Sequence, residues 1–84
     1  MSVVSRQEAA MDIEFDYTQL SGRIKEKIGT RKNLAKELGI SEMTMWYKMH
    51  NRFPFTQSEI LGICKLLNIP KSKIPAYFFT TKVL

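Results

Sequence analysis

The sequence predicts an all-α domain of five short helices. Three observations carry this. Apolar residues recur at helical spacing in five segments. Those segments are separated by helix caps and stops such as Gly29-Thr30, Gly39-Ile40-Ser41 and Asn68-Ile69-Pro70. No stretch shows the strict alternation of a half-buried strand.

The elements follow in order. Residues 1–14 have no clear period, and the domain is expected over residues 16–84, with 1–15 a flexible N-terminal arm or an appended extension. Helix 1 is expected from about Asp16, with Gln19 three residues on as in a capping box. Leu20, Ile24 and Ile28 form its apolar stripe, Arg23, Lys25 and Lys27 lie toward solvent, and Gly29 ends it. Thr30 caps helix 2, which runs to Leu38. Gly39 suits a tight turn with positive φ, and Ser41 caps helix 3, from Glu42 to about Met49. Residues 50–55, HNRFPF, form a loop. Thr56 and Glu59 make a capping box for helix 4, which carries Ile60, Ile63, Cys64 and Leu67 on one face. Asn68 takes its left-handed end and Pro70 stops it. A short helix 5 fits from about Lys73, with Pro75 in its first turn. Val83 and Leu84 can extend along a neighbour.

Charge is unevenly placed. Residues 1–16 carry a net of −3, and residues 17–84 a net of +8. A small domain this basic has the footprint of a nucleic-acid binder. Eighty-four residues make one small domain that must use nearly all its apolar residues. No apolar run approaches the roughly 20 residues that span a bilayer, so no membrane partner is expected. The single cysteine, Cys64, can form no internal disulfide and belongs to no metal-ligand cluster. The expectation is a cytoplasmic protein without metal or cofactor. His50 has no Cys, Asp or second His nearby, Ser41 has no local base, and there is no Gly-rich phosphate loop. An enzyme is not expected.

Residues 30–49, TRKNLAKELGISEMTMWYKM, read as a helix-turn-helix at helices 2 and 3. Leu34, Leu38, Met45 and Met49 face one core, and Ala35 is small where the helices approach. This stretch, with Phe55-Thr56…Glu59-Ile60 and Tyr77-Phe78-Phe79, resembles the phage repressor and Cro family. The nearest likeness is to small Cro-like or repressor-modulator proteins of Gram-positive temperate phages. The resemblance covers about residues 16–83. It implies a lambda-repressor-like DNA-binding domain, helix 3 as the recognition helix, and a regulator at the nucleoid of a bacterial host.

With Met45 and Met49 inward, a turn of 100° per residue puts Met43 and Tyr47 nearly opposite and Thr44 outside. Ser41 and Glu42 sit at the tip that meets base edges first. The candidate base contacts are therefore Ser41, Glu42, Met43, Thr44 and Tyr47. Arg31 and Lys32, at the start of helix 2, are candidate phosphate anchors, with Lys48, Asn51 and Arg52 on the other side. The partner implied is double-stranded operator DNA.

A second reading stands beside it. Helix 3 has no Arg, Asn or Gln between Ser41 and Met49. Its outward surface of Met43, Trp46 and Tyr47 is a surface for a protein partner, such as a phage repressor. Trp46 can instead pack under the 50–55 loop against Phe53 or Phe55. A third reading is a toxin–antitoxin or restriction-control regulator on the same fold. A weak homodimer is expected through Tyr77 and Phe79, with Phe78 inward.

Overall fold

In the computed structural model, which describes residues 13–82, the chain enters at an extended segment and closes on itself at the other end. Between lie α1 (Thr18–Lys27), α2 (Arg31–Leu38), α3 (Glu42–Met49), α4 (Gln57–Leu67), a 3-10 turn (Lys71–Lys73) and α5 (Ile74–Phe78). Among the described residues the structure is all-helical, with five α-helices and no strand. Residues 1–12 of the expected arm, and Val83 and Leu84, lie outside the described residues.

The caps form as their chemistry demands. The Thr30 hydroxyl accepts from the Asn33 N–H at 3.1 Å, and the Ser41 hydroxyl from the Thr44 N–H at 3.0 Å. Thr56 and Glu59 complete a reciprocal box, with the Thr56 N–H on Glu59 Oε1 at 2.8 Å. Gly39 takes φ 74°, which lets the Ile40 N–H reach the Ala35 carbonyl at 3.0 Å and turns the chain into α3. Gly62 serves close packing: a Cβ there would lie 3.2 Å from Leu38 Cδ2 across the α2–α4 contact.

The start of α1 differs from expectation. The helix begins at Thr18, and Tyr17 occupies its N-cap without a side-chain cap bond. Asp16 Oδ1 still accepts from the Thr18 N–H at 2.9 Å, and the Thr18 side chain first, then this N–H, hold its carboxyl below the ordinary value. Packing moves the boundary. Tyr17 is buried and meets Phe55 edge-on at 5.4 Å, so residues 15–17 follow the core surface instead of the helix.

The core draws on every helix: Leu20 and Ile24, Leu34 and Ala35, Met45 and Met49, Ile63, Cys64 and Leu67, and Phe78. Each large apolar side chain buried there contributes about 1.5–3 kcal/mol. Phe15, Tyr17, Phe55 and Phe78 link into an aromatic chain with centroids 5.4–6.2 Å apart. Phe78 is inward, Tyr77 half-buried and Phe79 exposed. Arg23, expected in solvent, donates from Nε to the Leu67 carbonyl and from Nη2 to that of Asn68, both at 2.9 Å, satisfying the end of α4.

The termini meet. Phe15 and Thr81 form an isolated antiparallel bridge, and the Asp16 N–H donates to the Thr80 carbonyl at 2.7 Å. Phe15, which sequence pattern leaves in the arm, is thus tied into the domain. None of the described helices is long and apolar enough to cross a membrane.

Candidate functional site

Helix α3 positions the site because its two faces are so different. Met45 and Met49 fix one side in the core. On the opposite side Met43 is in solvent, whereas Tyr47, expected there as an exposed group, is half-buried because Phe53 packs on it. Met43 is 60% exposed and Trp46 41% exposed. Phe53, in the loop after α3, is 51% exposed, although a phenyl ring gains by leaving water. Trp46 stacks on His50, one turn later, at 3.9 Å and 16°. The His50 Nδ1 lies 2.9 Å from the Trp46 carbonyl, which anchors the stack. Tyr47 lies edge-on to Trp46 at 5.6 Å and to Phe53 at 5.3 Å. The expectation that Trp46 packs against Phe53 or Phe55 is corrected: Tyr47 takes the Phe53 contact, and Trp46 stays outside on His50. Glu42, Met43, Trp46 and Tyr47 line a shallow, open hollow of about 420 Å³ on the face of α3.

The polar candidates divide. Ser41 and Glu42 are exposed at the tip of α3. The Ser41 hydroxyl donates to Thr44 Oγ1 at 2.9 Å, so the two hydroxyls are engaged with each other, and Thr44 is half-buried. Arg31 and Lys32 are exposed in the first turn of α2, and Arg52 is exposed after α3.

Two expected phosphate anchors are placed elsewhere. Lys48 is 7% exposed. Its Nζ lies 3.0 Å from Glu59 Oε1 and donates to the Pro54 carbonyl at 3.0 Å. Helix rotation puts Lys48 on one flank of α3 and Trp46 on the other; Lys48 is buried because Glu59 of α4 and the Pro54 carbonyl cover its flank. Burial pushes the Glu59 carboxyl up, but the Thr56 N–H and the Lys48 ammonium outweigh that and hold it below the ordinary value. Asn51 is a clamp. Its Oδ1 accepts from the Phe15 N–H at 2.8 Å, and its Nδ2 donates to the Phe15 carbonyl at 3.0 Å. Asn51 sits at φ 63°, a conformation that asparagine tolerates. The amide oxygen and one of the two amide hydrogens are thereby committed to the Phe15 backbone.

One residue gains a role that helix periodicity hides. Lys25, expected as a solvated charge, joins Arg31 and Lys32 along a cleft of about 590 Å³. Buried Ile24 and Met45 line its floor, and Glu42 and Trp46 form its far wall. Sequence reading treats α1 separately from the α2–α3 pair, so this wall is legible only once α1 packs across the start of α2.

Among the described residues no group of His, Cys, Asp and Glu is placed to hold a metal ion. Cys64 is buried, and burial pushes its thiol pKa up, which disfavours the reactive thiolate.

A solved structure shares this fold. It is the solution structure of the modulator of repression of the temperate bacteriophage TP901-1 from Lactococcus lactis. The two chains are 38% identical with a TM-score of 0.71, and the match covers 83% of this chain and 95% of that one. The likeness is to a phage regulatory protein of the modulator kind, and nothing in it singles out a Cro-like protein. No curated protein gives a match. The family model described as "Protein of unknown function (DUF739)" matches residues 13–81, and the chain belongs to that family.

Proposed function

We propose that this protein modulates repression by binding a phage repressor protein through the outward face of α3. The exposed cluster of Met43, Trp46 and Phe53 is the observation that carries the reading. Of the seven large apolar groups exposed among the described residues, these three lie on α3 or in the loop that follows it, and each leaves much of its surface in water. Buried against a partner, the same groups are the anchor types that dominate protein interfaces. The likeness to a modulator of repression supports this assignment. The bound protein would cover part of the repressor and change how it occupies its operator.

The test is a titration of the repressor encoded in the same phage genome, followed by an operator shift assay with and without this protein. Wild type should bind and alter the shift. Trp46→Ala should cost at least about 2 kcal/mol, or roughly thirtyfold in Kd. Tight wild-type binding that ignores Trp46→Ala and Met43→Ala would move the interface off α3.

A second reading has its own observation. Exposed Arg31 and Lys32 flank the start of α2, and Arg52 follows α3, as phosphate contacts would in a helix-turn-helix at α2 and α3. With Lys48 and Asn51 engaged inside the protein, these three cations give a log–log salt slope of only roughly −3 per protomer. A markedly steeper slope on duplex DNA, with no repressor binding, would favour this reading over the first.

A further inference from the structure

The apolar hollow and the basic cleft are one continuous surface, because Glu42 and Trp46 line both. On one side of Trp46 the lining is Met43 and Tyr47. On the other it is Lys25, Arg31 and Lys32. All three cations are exposed, and among the described residues none has a side-chain hydrogen bond or an ion pair. By contrast, Arg23, Lys48 and Lys82 are each paired with a carboxylate. The cleft therefore concentrates unneutralised positive charge beside an apolar anchor point, with Glu42 as its one carboxylate.

We propose that the repressor surface bound here is apolar at its centre and acidic on one flank. An apolar side chain enters the hollow between Met43, Trp46 and Tyr47, and carboxylates beside it pair with Lys25, Arg31 and Lys32. This inference rests on the reading of the protein as a repressor-binding modulator and adds the chemistry and orientation of the partner. Two features favour a protein over a nucleic acid. From Glu42 to Trp46 the helix rises only about 6 Å, and over that distance the surface changes from charged to apolar. A protein surface can match such a change with neighbouring side chains, whereas a sugar–phosphate backbone repeats its charge at every nucleotide. Glu42 also stands at the shared rim, where its carboxylate opposes a continuous row of phosphates but leaves a single apolar side chain free to pass.

The experiment uses the full chain and the repressor of the same phage genome, titrated at low and at high salt. The variant is K25E/R31E/K32E. A control, K65E/K71E/K73E, makes the same change in net charge at exposed lysines that do not line the cleft. A conservative variant, K25R/R31K/K32R, keeps the charge in place. Thermal midpoints of all variants are compared first, and they should agree because the cleft cations have no partners within the described residues. The cleft reversal should weaken repressor binding about tenfold or more and flatten its salt dependence. At about 0.1 M salt and above the control should stay within about twofold, since it leaves the cleft's own charges in place and longer-range fields are screened there. The conservative variant should bind like wild type. Equal losses in the reversal and the control would overturn the proposal, leaving only a long-range field. An unchanged reversal alongside a disabled Trp46→Ala would also overturn it, while the repressor-binding reading stands. A reversal that loses duplex DNA but keeps the repressor would assign the cleft to nucleic acid, again overturning it. Absence of wild-type repressor binding would remove the proposed function, and this inference with it.

Discussion

Lys48 and Glu59 provide a perturbation whose sign follows from geometry. Their side chains are 9% and 18% exposed, and their charges lie 3.0 Å apart. Removing one member of a buried pair costs about 3–5 kcal/mol when the other is left without compensation. In Glu59→Gln the ammonium loses its anion but keeps the Pro54 carbonyl, and the Thr56 N–H can still find an amide oxygen. The residual solvent contact softens the loss further, so about 2 kcal/mol is expected. In Lys48→Met the apolar stem remains against α4 while the charged end disappears. Glu59 then keeps its Thr56 partner and its access to water, and about 1 kcal/mol or less is expected. Urea unfolding of both variants measures this, with unchanged m-values as the check that the folded state is intact. Acid strengthens the test. Glu59 has a folded pKa below its ordinary value of 4.5, so its contribution is present above that value and is lost as pH falls through the lower folded one. Glu59→Gln should therefore converge on wild type in acid. A Lys48→Met that is less stable than Glu59→Gln would refute the reasoning, because the buried ammonium would then be a net asset even without its anion. It would not be the group left stranded.

Three further outcomes are expected. Asn51→Ala loses two backbone contacts to Phe15 and strains φ 63°, so it should cost about 2–3 kcal/mol, and Asn51→Gly should cost less because the strain is relieved; the order of their thermal midpoints checks both arguments. Met43→Ala with Tyr47→Ala should lower stability by about 1 kcal/mol, nearly all from Tyr47, because Tyr47 packs on Phe53 whereas Met43 is mostly in water; separate single variants in urea divide the two. Phe79 is 51% exposed, and if it joins two copies of the chain, Phe79→Ser should shift the sedimenting species to monomer at high concentration, whereas a wild type that is already monomeric there removes the dimer.

The sequence by itself determined what depends on neighbours along the chain. Thr30, Ser41 and Thr56 cap their helices through bonds that span three residues. Gly39 and Asn68 take left-handed ends because their backbones allow it. Met45 and Met49 set the rotation of α3, so its outward Met43 could be read from periodicity alone. The same periodicity leaves Lys48 on a flank, where it reads as a phosphate anchor until Glu59 and the Pro54 carbonyl close over it. Tertiary structure decided the rest, because these contacts join positions far apart in sequence. Asn51 meets Phe15 across 36 residues, and Arg23 meets Leu67 across 44. Lys25 becomes part of a basic wall only when α1 is laid beside the start of α2. A helical repeat states which way a side chain points, but what it points at is settled by the other helices, whose placement follows from burying one shared core.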